Sequence, residues 1–121
     1  MKTIRVQFED SEGPFEIEVL LPLVSPLLDS FNELTVEAAR MSHVYTAYEN
    51  GTITRETLKR EDQKIMDRLH RFLGDICIDP PLDYEFWAKG EGYSVDVPLK
   101  IFNAISREIL KARLENLEGV H

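Results

Sequence analysis

Cysteine occurs once, at Cys77, so the chain cannot form an internal disulfide, and with no CxxC or Cys/His grouping there is no structural zinc pattern; both absences suit a reducing compartment. Long apolar runs are missing as well: none approaches the length of a membrane span. Near the N-terminus, Lys2 and Arg5 flank Thr3–Phe8, which alternates polar and apolar residues instead of opening a continuous apolar segment, so a secretory leader is not expected. A basic surplus is lacking: 14 Lys and Arg stand against 22 Asp and Glu, a net charge of −8. The sequence-independent part of nucleic-acid affinity comes from clustered cations meeting phosphates, so a general nucleic-acid binder is excluded and no nucleic-acid partner is expected.

Catalytic signatures are absent too. No GxSxG, HExxH or complete GxxxxGK[ST] occurs, and Ser- or Cys-based catalysis needs a nucleophile beside a base. His43, His70 and His121 read as surface or partly buried side chains, and Cys77 as a small hydrophobe after an apolar stripe. Asp75, Asp79, Asp83 and Glu85 gather carboxylates, but their spacing does not match a calcium loop and Pro80-Pro81 interrupts it; helix capping and solvation account for them. Gly90-Glu91-Gly92 reads as a flexible turn. The expectation is a protein that is not an enzyme, with no catalytic residue, cofactor or metal.

What is present is a globular composition, 43% hydrophobic and 30% charged, in a length that supports one domain and buries roughly two-thirds of its unfolded surface. Charge is unevenly placed. Residues 1–37 hold two basic against eight acidic side chains, whereas residues 38–74 hold seven against five. Acidic ends around a mildly basic middle can steer a partner, and can equally be a solvated surface.

Thr3–Phe8 and Phe15–Leu20 both alternate with period two around a turn-rich Glu9–Pro14, which predicts a β-hairpin with a longish loop. Two strands are marginal alone, so their apolar face should lie on helices or on another subunit, and a homo-oligomer built on the strand edges is an open possibility. Ser25-Pro26 has the order of an N-cap and a first-turn proline ahead of a short helix through Leu27, Leu28, Phe31 and Leu34. Beyond it Leu34, Ala38, Met41, Tyr45 and Tyr48 form one helical stripe, closed by Asn50-Gly51. Thr54 caps a helix over 55–76 of about 33 Å. Gly74 should weaken its last turn. A final helix, capped by Asp96, presents Ile101, Phe102, Ile105 and Ile109 on one face and Asn103, Arg107, Lys111 and Arg113 on the other. The fold class is therefore α+β, mainly α: an N-terminal hairpin (1–21) packed on about four helices, with helices over 22–78, a Pro/aromatic connection over 79–96 and a terminal helix over 97–118.

That connection is the most informative stretch. Asp79-Pro80-Pro81-Leu82-Asp83-Tyr84-Glu85-Phe86-Trp87 places two prolines, which disfavour helix before them, ahead of three aromatics including the sole tryptophan. Such a cluster either pins two helices together or anchors an interface.

With Val95-Asp96-Val97-Pro98-Leu99-Lys100-Ile101-Phe102-Asn103-Ala104-Ile105 following it, the segment from Leu69 to Leu110 resembles the tail assembly chaperones of long-tailed (siphovirus-type) bacteriophages. In these small acidic proteins an amphipathic helix leads into a Pro-containing acidic aromatic stretch and a short hydrophobic segment. The resemblance implies a non-enzymatic protein of the host cytoplasm, not expected in the mature virion. It would keep the helix-rich tape measure protein soluble and help tail tube protein polymerise around it, with a longer form made by ribosomal frameshifting near the 3′ end of the gene. On that reading Tyr84, Phe86 and Trp87 join Ile101, Ile105 and Ile109 as a partner-binding surface rimmed by Asp79, Asp83 and Glu85, which would select basic helical segments. A small acidic regulatory or immunity-type binding module would share the same features.

Overall fold

The structure is a computed structural model and describes residues 2–10, 13–89 and 97–118. Its elements are β1 (Thr3–Asp10), β2 (Gly13–Leu20), α1 (Leu27–Glu49), α2 (Arg55–Ile76), β3 (Cys77–Asp79), α3 (Tyr84–Lys89) and α4 (Val97–Glu118). This is the expected α+β, mainly helical architecture with an N-terminal hairpin. The expected turn at Gly90-Glu91-Gly92, the cap at Asp96 and His121 lie outside the described residues.

The alternation in β1 and β2 sorts their side chains by face. Val6, Phe8, Ile17 and Val19 are buried, while Arg5, Gln7, Glu9, Glu16 and Glu18 face away from the core. The register pairs Val6 with Ile17 and Phe8 with Phe15, whose rings stack at 5.1 Å between centroids. The ladder runs further than the sequence suggests, to Glu9 opposite Pro14 and Asp10 opposite Gly13. The connection is thus shorter than the expected Glu9–Pro14 loop, and Gly13, at φ +116°, adopts a conformation that other residues resist. A third strand was not expected: α2 ends at Ile76, and Cys77–Asp79 pairs antiparallel with Glu18 and Val19, giving the order β1-β2-β3.

The short helix and the stripe beyond it are one helix of 23 residues. Ser25 does not cap it: Pro26 occupies the N-cap position with no side-chain hydrogen bond, behind a cis Ser25-Pro26 peptide. Its other end follows the sequence, since Gly51 takes φ +76° and the Gly51 and Thr52 amides donate to Tyr48 and Ala47. Thr54 then accepts the Thr57 amide at 3.1 Å and starts α2 as expected.

One apolar core joins the inner face of the sheet to the N-terminal half of α1, the C-terminal half of α2 and one stripe of α4. Phe31 ties these layers together, its ring centroid 6.1 Å from that of Phe72 on α2 and 5.0 Å from that of Phe102 on α4. Gly74 has a different role from the one its propensity suggests. Instead of fraying, α2 runs on to the fully buried Ile76, and Gly74 lets the start of α3 cross it. A Cβ at position 74 would stand 2.7 Å from the Tyr84 nitrogen.

Candidate functional site

The residues expected to form one partner-binding surface divide between core and surface. Ile101 and Ile105 are fully buried, Ile109 nearly so, and Trp87 is 4% exposed. All four belong to the central core, so they are corrected from interface anchors to packing residues. The physical reason is the helical period: at about 100° per residue, positions 101, 105 and 109 advance slowly along the face that α4 turns to the sheet. Phe86 is half-buried against the same core and meets Trp87 edge-on at 5.3 Å. Of the two roles open to the aromatic cluster, Trp87 takes packing.

Tyr84 is held from α2. Its hydroxyl donates a short hydrogen bond to Asp67 Oδ1, Arg71 Nε donates to Asp67 Oδ2 at 3.1 Å, and the Arg71 guanidinium lies 4.5 Å from the centre of the Tyr84 ring. The hydrogen bond from Tyr84, then that from Arg71, holds the Asp67 carboxyl below its ordinary value, and the same bond to Asp67 raises Tyr84. The three side chains clamp α3 onto α2. Asp83 accepts the Phe86 amide at 3.0 Å, the capping role expected of this carboxylate group. Asp79, Asp83 and Glu85 are exposed, but the hydrophobic stripe they were to rim lies inside the fold. Among the described residues no three His, Cys, Asp or Glu side chains gather into a possible metal site.

Cys77 sits at the start of β3, where burial pushes its thiol up to about 11 and an interaction with the Trp87 side chain offsets this in part. A thiol held protonated in this way is a weak nucleophile. Burial also lowers His70, on the exposed side of α2, against the opposing pull of Asp67.

The outward apolar surface lies elsewhere. On α4, Leu99, Leu110 and Leu114 are exposed, Leu110 at 58%. Their spacing of eleven and four residues places them on one face, roughly half a turn from the buried isoleucines. Every exposed charged residue from Leu99 to Leu114 is basic: Lys100, Arg107, Lys111 and Arg113. The basic character of this face was legible in the sequence. Its leucines were missed, although their spacing is the signal that finds them. A second apolar surface lies where α1 and α2 extend beyond the core: Tyr45 and Tyr48 are 45% and 38% exposed beside Leu58, Arg55 and Asp62.

No protein-family model matches the chain, and no similar curated protein or solved structure was found. The described helices include none long and apolar enough to cross a membrane.

Proposed function

We propose that the chain is a non-enzymatic tail assembly chaperone of the long-tailed bacteriophage type, which binds the tape measure protein in the host cytoplasm, assists assembly of tail tube protein around it and leaves before the virion is complete. The observation that carries this reading is α4, amphipathic twice over: one stripe builds the core, and a second, Leu99, Leu110 and Leu114, faces outward. A long helical partner with apolar side chains at i, i+3 and i+4 fits such a surface, and many weak contacts along one extended chain add through avidity. The resemblance over residues 69–110 supplies the identity of that partner. The contact surface moves from the acidic aromatic connection to the outer face of α4, whose rim is basic, so the segments it selects are acidic ones.

Co-expression with the tape measure protein encoded nearby tests the proposal. The expected result is a soluble complex with the native chain and loss of that complex with Leu110→Asp/Leu114→Asp, whose far-UV spectrum and melting stay native because both side chains are exposed. Failure to recover a complex even at low salt, where electrostatic steering is strongest, would pass the reading to the small regulatory binding module.

A further inference from the structure

We infer that β1 is the contact of a two-fold symmetric dimer, in which the β1 strands of two copies pair antiparallel about Gln7 and join two three-stranded sheets into one of six. Within the chain β1 pairs only with β2, so among the described residues no strand occupies its outer side. Strand polarity shows which backbone groups that side offers. Leu21 N–H donates to Lys2 O at 2.9 Å, and the register continues from this pair as Thr3 opposite Leu20 and Ile4 opposite Val19. Hydrogen-bonded and non-hydrogen-bonded pairs alternate in an antiparallel ladder. The even residues of β1 therefore point their N–H and C=O groups toward β2, and Thr3, Arg5, Gln7 and Glu9 point theirs outward. Pro14, which has no N–H, agrees with this assignment because it stands opposite the odd residue Glu9.

Charge selects the register. Pairing centred on Gln7 sets Arg5 opposite Glu9 of the second copy, twice by symmetry, on the solvent face of the joined sheet. Pairing centred on Arg5 opposes two arginines. Pairing centred on Val6 leaves Arg5 facing Gln7. Only the Gln7-centred register unites both ion pairs with outward hydrogen-bonding groups, and it supplies about six backbone hydrogen bonds. It also keeps the apolar faces together, Val6 meeting Phe8 of the second copy on the core side. A groove beside this edge, lined by Ile4, Val6, Ala104, Arg107 and Glu108, would be covered by its own symmetry mate, with opposite charges available for pairing across the axis. An isologous contact of this kind closes at two copies and so removes an edge that would otherwise invite open-ended association.

Sedimentation velocity of the full chain over a wide concentration range is the test. A reversible monomer–dimer equilibrium is expected, weakened by salt. Arg5→Glu and Glu9→Arg, each of which converts two attractions into two repulsions, should each weaken the dimer about tenfold or more, and the double variant Arg5→Glu/Glu9→Arg should recover it. Gln7→Pro should abolish the dimer while leaving the β1–β2 ladder and the far-UV spectrum intact, because only the outward donor is lost. Should a charge variant fold poorly, Gln7→Cys in a Cys77→Ala background reports the same register: a short bis-thiol cross-linker should join Gln7→Cys chains far faster than Thr3→Cys chains. A chain that stays monomeric at every concentration, a dimer that both charge reversals leave unchanged, or equal cross-linking at positions 3 and 7 would each overturn the inference.

Discussion

Where α1 and α2 run beside the sheet, Phe31, Leu34, Leu69 and Phe72 are buried among residues of every layer. At the far end of the same helix pair, about 20 Å along, the contacts change character. Arg40 bridges Glu37 and Glu61 at 3.1 and 2.9 Å, Lys64 reaches Glu61 at 3.5 Å, Arg68 reaches Glu37 at 3.2 Å, and Tyr45 donates to Asp62 at 3.1 Å. Met41 is the last buried residue of the α1 stripe, which continues unbroken in sequence to the half-exposed Tyr45 and Tyr48. An apolar stripe is thus necessary for burial but not sufficient. α2 faces the outer part of the stripe with a run of charged and polar residues from Lys59 to Lys64, and neither the sheet nor α4 extends to cover it. Burial stabilises one end, while exposed ion pairs mainly set the alignment of the other.

The contrast is most easily broken in the core. Trp87→Ala should cost about 3–5 kcal/mol because a large buried side chain leaves a cavity, whereas Tyr48→Ala in the outer part should cost about 1 kcal/mol or less. Urea midpoints at constant slope would show this; equal losses would mean that the outer end of the pair is as well packed as the inner.

Gly74→Ala tests the crossing of α2 and α3. Helix propensity alone favours alanine by about 1 kcal/mol, but the added carbon would press on the Tyr84 backbone, so a net destabilisation of about 1–3 kcal/mol is expected. A gain in thermal midpoint would show that α3 yields easily.

The clamp on α3 has a pH signature. Asp67 has a folded value below its ordinary 3.8, so the stability it contributes is complete above that value and is lost as pH falls through the lower folded one. Asp67→Asn should flatten the acid limb of the stability profile below pH 4 and leave the neutral region flatter still. His70, also lowered in the fold, adds a loss that begins as pH drops through the ordinary histidine range, and His70→Gln should remove that part. Unchanged acid limbs in both variants would mean that neither group is perturbed.

The smallest effects are expected in the outer ion pairs. Arg40→Met should change the urea midpoint little, and less again at high salt. Amide exchange should nevertheless separate the two regions, with residues 42–62 exchanging faster than 66–76, because local opening of the outer end exposes little apolar surface. Uniform protection along α2 would contradict the comparison.

Periodicity and punctuation carried much of the fold. The alternation of β1 and β2 sorted their faces, Thr54 and Asn50-Gly51 set the bounds of a helix start and a helix stop, and the isoleucine stripe of α4 marked a buried face. These features act through neighbours within a turn or a strand, where residue identity and local geometry are tightly coupled. The candidate surface was less legible. Ile101, Ile105 and Ile109 have the same spacing whether they bind a partner or a sheet of their own chain, and Trp87 suits a pocket on either side of an interface.

The sequence by itself therefore determined the net charge, the hairpin, the long amphipathic helices and the hard stop at Pro80-Pro81, since each follows from composition or local stereochemistry. Tertiary structure alone decided that Cys77–Asp79 adds a strand to the hairpin, that Gly74 makes room for α3, that Asp67 and Arg71 hold Tyr84, and which of the two apolar faces of α4 stays outside. Those outcomes depend on which surfaces distant in the chain are brought within contact distance, and burial is a property of that meeting rather than of any one segment.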